Sequence, residues 1–161
     1  MINFDDIREN DINAILLCCI LGIIIVGERY FRKSKVDSRI YMFVIFGSCL
    51  FTLVCIKIAN TGNDISGDLS RMLPNIITGL GFLGTGVIGM QYIARKDDSE
   101  PVIHGIVSAT LIWLCGTIGI ACGLGYSGLA TIFTLLFVFF STFMYLTIEK
   151  PKKKEEIKGT D

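Results

Sequence analysis

At 161 residues, with 52% hydrophobic side chains and a mean hydropathy of +0.60, the chain is too apolar for a soluble domain. Its 15 cations and 15 anions balance, and no nucleic-acid partner is expected. The charges gather in the first eleven positions, at residues 28–39, in two short connectors and in the tail, and the stretches between them read as bilayer spans.

The leading segment holds Asp5, Asp6, Glu9 and Asp11 against Arg8 alone. A secretory leader is basic there and ends in a small-residue cleavage site; this one does neither, so it is expected to stay in the mature protein. The first span, residues 12–27, is uncharged but only sixteen residues long, and at about 1.5 Å per residue it just crosses a thin hydrocarbon core. Residues 40–60 form the second span. Its one charge, Lys57, lies near the end, where a long stem lets the ammonium reach the interface.

Residues 72–94 form the third span, which holds the most unusual local sequence. Gly79-Leu80-Gly81-Phe82-Leu83-Gly84 matches a dinucleotide-binding glycine pattern in form. It lacks that motif's preceding strand and its acidic residue about twenty positions on, and it lies within an apolar span. Gly79, Gly81, Gly84 and Gly86 are therefore read as a face that lets another backbone approach, in preference to a broken, ion-coordinating helix. Arg71, Asn75 and Thr78 follow at i, i+4, i+7 on one side, with Asp68 one turn earlier. Two readings apply: a helix cap by Asp68 or Ser70 with interhelical hydrogen bonding by Asn75, or a polar pocket opening to the outer face. With the helix starting near Arg71, Pro74 falls in the first turn, where its missing N–H costs little.

Residues 102–148 carry no acid or base except His104, and about 47 residues suit two crossings, at 102–122 and 126–148. Gly123-Leu124-Gly125 supplies the reversal. Ser108 follows His104 by four residues, and Trp113 lies near mid-bilayer, packed within the bundle or against lipid. No Asp or Glu occurs at mid-depth in any span, which weighs against a pump or proton-coupled carrier. The six cysteines all fall in apolar segments without CxxC pairing and read as small packing residues.

The fold expected is thus an all-α bundle of about five transmembrane helices over residues 1–149, followed by a charged tail at 150–161. Five crossings put Arg29, Arg32, Lys33, Lys35, Arg39, Arg95, Lys96 and the tail lysines on one side, against Arg8, Lys57 and Arg71 on the other. The positive-inside rule then places the N-terminus outside and the tail in the cytoplasm. A four-crossing arrangement that omits the first segment also keeps the tail inside, and charge alone does not separate the two. In the five-span arrangement Glu28 and Arg29 end the first span and Asp68 and Arg71 begin the third at the opposite face. Two separate exposed pairs are expected, Glu28 with Arg32 and Asp68 with Arg71, each adding at most about 1 kcal/mol.

Gly27-Glu28-Arg29 with Arg32 and Lys33, then Asp68-Leu69-Ser70-Arg71, the block from Gly79 to Gly86, and the segments from Gly105 to Trp113 and Gly119 to Tyr126 together resemble the MgtC/SapB membrane family in order and spacing. Leu69 and Pro74 stand where that family usually has Pro and Ala, Arg39-Ile40-Tyr41 keeps its LRT-like element only in part, and Asn75 and Thr78 replace Gln and Ser. The resemblance implies a bacterial inner-membrane protein tied to low magnesium, acid tolerance and virulence, acting through other membrane proteins or through itself. Longer members add a soluble domain after the last span, whereas here residues 150–161 are too short to fold alone. No cofactor, metal site or catalytic group is expected. The alternative is a small ion or solute transporter with Asp68, Arg71, Asn75 and Thr78 as its vestibule.

Overall fold

The computed structural model describes residues 9–31, 37–60, 65–93 and 103–149. Among them the chain forms α1 (Glu9–Phe31), α2 (Arg39–Ala59), α3 (Ile65–Ile93), α4 (Ile103–Gly123) and α5 (Ser127–Met144), then a π-helical turn over Tyr145–Glu149, and no strand. All five helices are long and apolar enough to cross a bilayer, so the expected all-α, five-helix architecture is the one that forms.

Two boundaries correct the sequence reading. The helix that carries the first span is longer than its uncharged part: α1 has 23 residues, about 35 Å at the helical rise, and continues through polar residues at both ends. At one of those ends Asp11 meets Lys57 of α2 at 3.3 Å, so the ammonium at the end of α2 has a protein carboxylate beside it. The other correction concerns α3, which starts at Ile65 and not near Arg71, leaving Pro74 well inside the helix. Proline there deprives the Ser70 carbonyl of its usual donor, a loss tolerable near the polar end of the helix where water can reach it. Nor does Ser70 cap the helix: its Oγ donates back to the Gly67 carbonyl at 2.8 Å.

The reversal between α4 and α5 is closed by backbone bonds that glycine permits. Gly125 has φ +82°, the left-handed conformation that a side chain disfavours. This lets the Tyr126 N–H reach the Ala121 carbonyl at 2.9 Å and the Gly125 N–H reach that of Cys122 at 3.0 Å. The pattern satisfies the last carbonyls of α4 and turns the chain straight into α5.

The core lies around α4. Ile112, Cys115, Ile118 and Cys122 are buried there together with Cys18 and Ile25 of α1, Tyr41, Ile45 and Cys49 of α2, and Leu80 of α3. Five of the six cysteines are buried, and all six are free thiols. Glycine makes this packing possible. A Cβ at Gly119 would collide with the Ile45 carbonyl and stand 2.9 Å from the Ser48 Cβ, and one at Gly123 would stand 2.7 Å from the Thr52 Cβ. At Gly116 it would strike Leu80 of α3. Helices without a hydrophobic drive to associate in lipid gain their attraction from such close approach.

Candidate functional site

Chain direction puts the singled-out charges at opposite ends of the bundle. Glu28 and Arg29 lie near the end of α1, next to α5. Asp68 and Arg71 lie near the start of α3, at the end where Asp11 meets Lys57. As expected from the sequence, the two pairs do not form one cluster.

At the α1 end the residues differ from the expected exposed pair. Arg29 Nε donates to Glu28 Oε2 at 2.6 Å, with the two side chains only 12% and 8% exposed. Ser141 of α5 joins them: its hydroxyl donates to Glu28 Oε1 at 2.8 Å and accepts from Arg29 Nη2. The guanidinium also lies over the Phe137 ring, 5.4 Å from its centroid. Arg32, the partner expected for Glu28, lies outside the described residues, as do the connector cations Lys33, Lys35, Arg95 and Lys96 and the tail. Ser141 was missed by sequence reasoning, although a signal existed. Ala130, Thr134, Phe137 and Ser141 follow at i, i+4, i+7, i+11 as the inward face of α5, with Ala130 and Thr134 buried.

Arg39 points outward, paired to Asp37 at 2.7 Å in the open. The same carboxylate accepts the Arg39 backbone N–H at 3.0 Å, so Asp37, one residue before the N-cap Ser38, satisfies the first free N–H of α2. These bonds from Arg39 hold the Asp37 carboxyl below its ordinary pKa.

Among the described residues, the side chains of Asp68, Arg71, Asn75 and Thr78 on α3 neither pair with each other nor reach another helix. Asn75 donates to the Arg71 carbonyl of its own helix at 3.3 Å, and Thr78 to that of Pro74 at 3.1 Å, in place of the interhelical bond expected of Asn75. Among the described residues no ion pair joins Asp68 to Arg71. The stripe also runs further than its first members indicated. Asp68, Arg71, Asn75, Thr78, Phe82, Thr85 and Gly89 alternate at three- and four-residue steps along one side of the helix. Asp68 and Gly89 are half-exposed and the other five are exposed.

The glycines of α3 divide. Gly84 is buried, with room for a Cβ only at 3.4 Å from that of Ala109 on α4. Around Gly79, Gly81 and Gly86 nothing stands within 4 Å of a Cβ position, so the close approach expected of them is not made within the chain. Gly79 and Asn75 instead edge a groove of about 540 Å³ between α2 and α3, whose walls are mainly apolar side chains such as Phe43, Val44, Phe51 and Leu83. On α4, Ser108 is buried, while Trp113 is 47% exposed on the outer side of the bundle. The side chain of His104 lies outside the described residues. Among those residues no three His, Cys, Asp or Glu side chains could hold a metal ion.

A sequence profile of the MgtC family matches residues 15–149. Protein SrpB of Synechococcus elongatus is 32% identical over 76% of this chain and 69% of its own length. Protein SapB of Bacillus subtilis is 30% identical over 68% of this chain and 46% of its own, and Protein MgtC of Salmonella typhimurium 31% over 69% and 42%. The chain spans about half the length of the curated relatives it matches. No solved structure matches it.

Proposed function

The chain belongs to the MgtC family, and from that membership we propose that it is a non-catalytic protein of the bacterial inner membrane that modulates other membrane proteins by packing against them through α3. Its N-terminus lies outside and its C-terminus in the cytoplasm, by the excess of Lys and Arg in the first and third connectors and the tail. Its setting is the one the family resemblance implies: low magnesium, acid stress or virulence conditions.

One observation carries this reading. The spans of α3 and α5 are almost equally uncovered, with 11% and 12% of each buried, yet their exposed faces differ. On α5 the exposed residues include Ile132, Phe133, Leu135, Leu136, Phe139, Phe140 and Phe143, the chemistry of a lipid contact. On α3 Ile77, Phe82, Leu83 and Met90 are exposed too, but they are interrupted by exposed Arg71, Asn75, Thr78, Gly81, Thr85 and Gly86. Small and polar residues at that depth gain little from acyl chains and much from a second helix backbone.

Gly86→Leu tests it, because nothing stands within 4 Å of a Cβ at Gly86. Gly84→Leu would confound the answer by displacing α4. Membrane pull-down with the Gly86→Leu chain should lose the partner recovered with the unaltered chain while thermal stability holds. Unchanged recovery sets the reading aside. Transport is the competing outcome: ion flux in liposomes that vanishes in Asp68→Asn and Asn75→Ala would put a vestibule in place of the docking face.

A further inference from the structure

We propose that the α3 stripe from Asp68 to Gly89 is the interface of a parallel, two-fold homodimer, so that one occupant of the docking face is a second copy of this chain. This rests on the reading above that α3 meets protein and not lipid.

The argument begins with symmetry. All copies of one chain insert in the membrane with the same orientation, so a two-fold axis relating two of them runs along the membrane normal, and helices meeting on it run parallel and in register. Each stripe residue then faces its own copy, with the stripe residues of the other copy one turn above and below within reach of a long side chain. Such a seam works only if every layer complements itself, which is a demand that no other partner imposes.

The α3 stripe meets this demand layer by layer. Its alternating three- and four-residue steps are the period of a left-handed parallel helix pair. At one end stand two opposite charges one turn apart, Asp68 and Arg71, neither of them in an ion pair or side-chain hydrogen bond among the described residues. Across the axis the carboxylate of one copy meets the guanidinium of the other, twice, once in each direction. Next comes Asn75, whose side chain is both donor and acceptor and whose Oδ1 is not engaged among the described residues, so two Asn75 amides can exchange hydrogen bonds across the axis. The hydroxyls of Thr78 and Thr85 donate to their own helix at 3.1 and 3.0 Å and still have lone pairs to accept. Phe82, 80% exposed, meets its own ring, with the small residues Gly86 and Gly89 one and two turns beyond for close approach of the backbones. On α5 no such sequence of self-complementary layers occurs among the exposed residues.

Cysteine cross-linking in native membranes reads the register directly. Thr78→Cys and Thr85→Cys should each give a disulfide-linked dimer on mild oxidation, whereas Leu136→Cys on the lipid face of α5 and the unaltered chain, with five of its six thiols buried, give only background. Charge exchange tests the complementarity. In the Thr78→Cys background, Asp68→Lys makes that end wholly positive and Arg71→Glu makes it wholly negative. Each should lower its own dimer about fivefold, and co-expression of the two should restore a mixed dimer to the starting yield, a rescue that pairing within one chain cannot produce. Yields at 78 and 85 no higher than at 136, or no rescue on mixing, overturn the proposal. If instead a photo-cross-linker at position 78 captures another membrane protein and no dimer, the homodimer is overturned while the docking reading stands. Capture of neither sinks both.

Discussion

The glycines of α3 and α4 have the same composition of opportunity and opposite fates. On α4, Gly116, Gly119 and Gly123 are used up inside the molecule: Gly116 receives a side chain of α3, and Gly119 and Gly123 lie against the backbone and side chains of α2. On α3, Gly79, Gly81, Gly86 and Gly89 have nothing near them, and Gly84 alone is pressed against a neighbour. A glycine in a membrane helix therefore marks a possible approach and does not say which helix makes it. The fold closes some seams with its own helices and leaves the α3 seam open.

The largest effect that can break this contrast is at Gly119. Its Cβ would meet a backbone carbonyl, which cannot swing aside as a side-chain tip can. Gly119→Ala should therefore force α2 and α4 apart and cost about 2–3 kcal/mol, read as a drop in the SDS fraction needed to unfold the purified protein. The same change at Gly86 should move stability by less than about 0.5 kcal/mol. Equal effects at the two positions, measured on dissociated chains, would mean that α3 is covered within the monomer after all.

The α1/α5 seam is closed by charge and not by glycine, and it ranks next. Glu28→Ala leaves the Arg29 guanidinium with little exposure and no carboxylate, which should cost about 2–3 kcal/mol. Ser141→Ala removes a bridging hydroxyl but leaves the ion pair, so about 1 kcal/mol is expected. Both losses are measurable in the same unfolding titration. A Ser141→Ala chain as unstable as Glu28→Ala would shift the weight of the seam from the ion pair to the hydroxyl.

The same division governs what the sequence discloses. Five helices are legible because length and missing charge suffice to mark a span, and the α4–α5 break because Gly125 supplies a conformation that few other residues accept. The start of α3 was not legible: Pro74 and the polar run before Arg71 look like an end, yet the helix already runs through residues 65–71. The polar stripe could be seen at Arg71, Asn75 and Thr78 from helical periodicity alone. Whether it turned inward could not be seen, since Asn75 hydrogen-bonds as readily to the carbonyl of Arg71 as to a neighbouring helix. Ser141 escaped because periodicity puts it on the inward face of α5 but says nothing of a partner more than a hundred residues away.

The smallest expected effect belongs to neither kind of seam and serves as their control. Asp37 is exposed just before the start of α2, where its carboxylate accepts the Arg39 N–H and pairs with the Arg39 guanidinium. Those bonds hold its folded pKa below the ordinary 3.8, the side-chain bond to Arg39 contributing most. A carboxyl with a depressed pKa favours the folded state while it is ionised, so this contribution is complete above pH 3.8 and fades as the pH falls toward and through the folded value. Asp37→Asn should remove that segment of the pH dependence of thermal unfolding and leave the curve above about pH 5 flat with respect to this group. Because the pair is open to water, the shift should be small beside that of Gly119→Ala. It should also leave cross-linking through α3 unchanged, since Asp37 touches neither the glycine seam nor the open stripe. A loss of dimer in Asp37→Asn at neutral pH would mean that the two ends of the bundle are coupled through α2, and the separation of closed seams from the open one would fail.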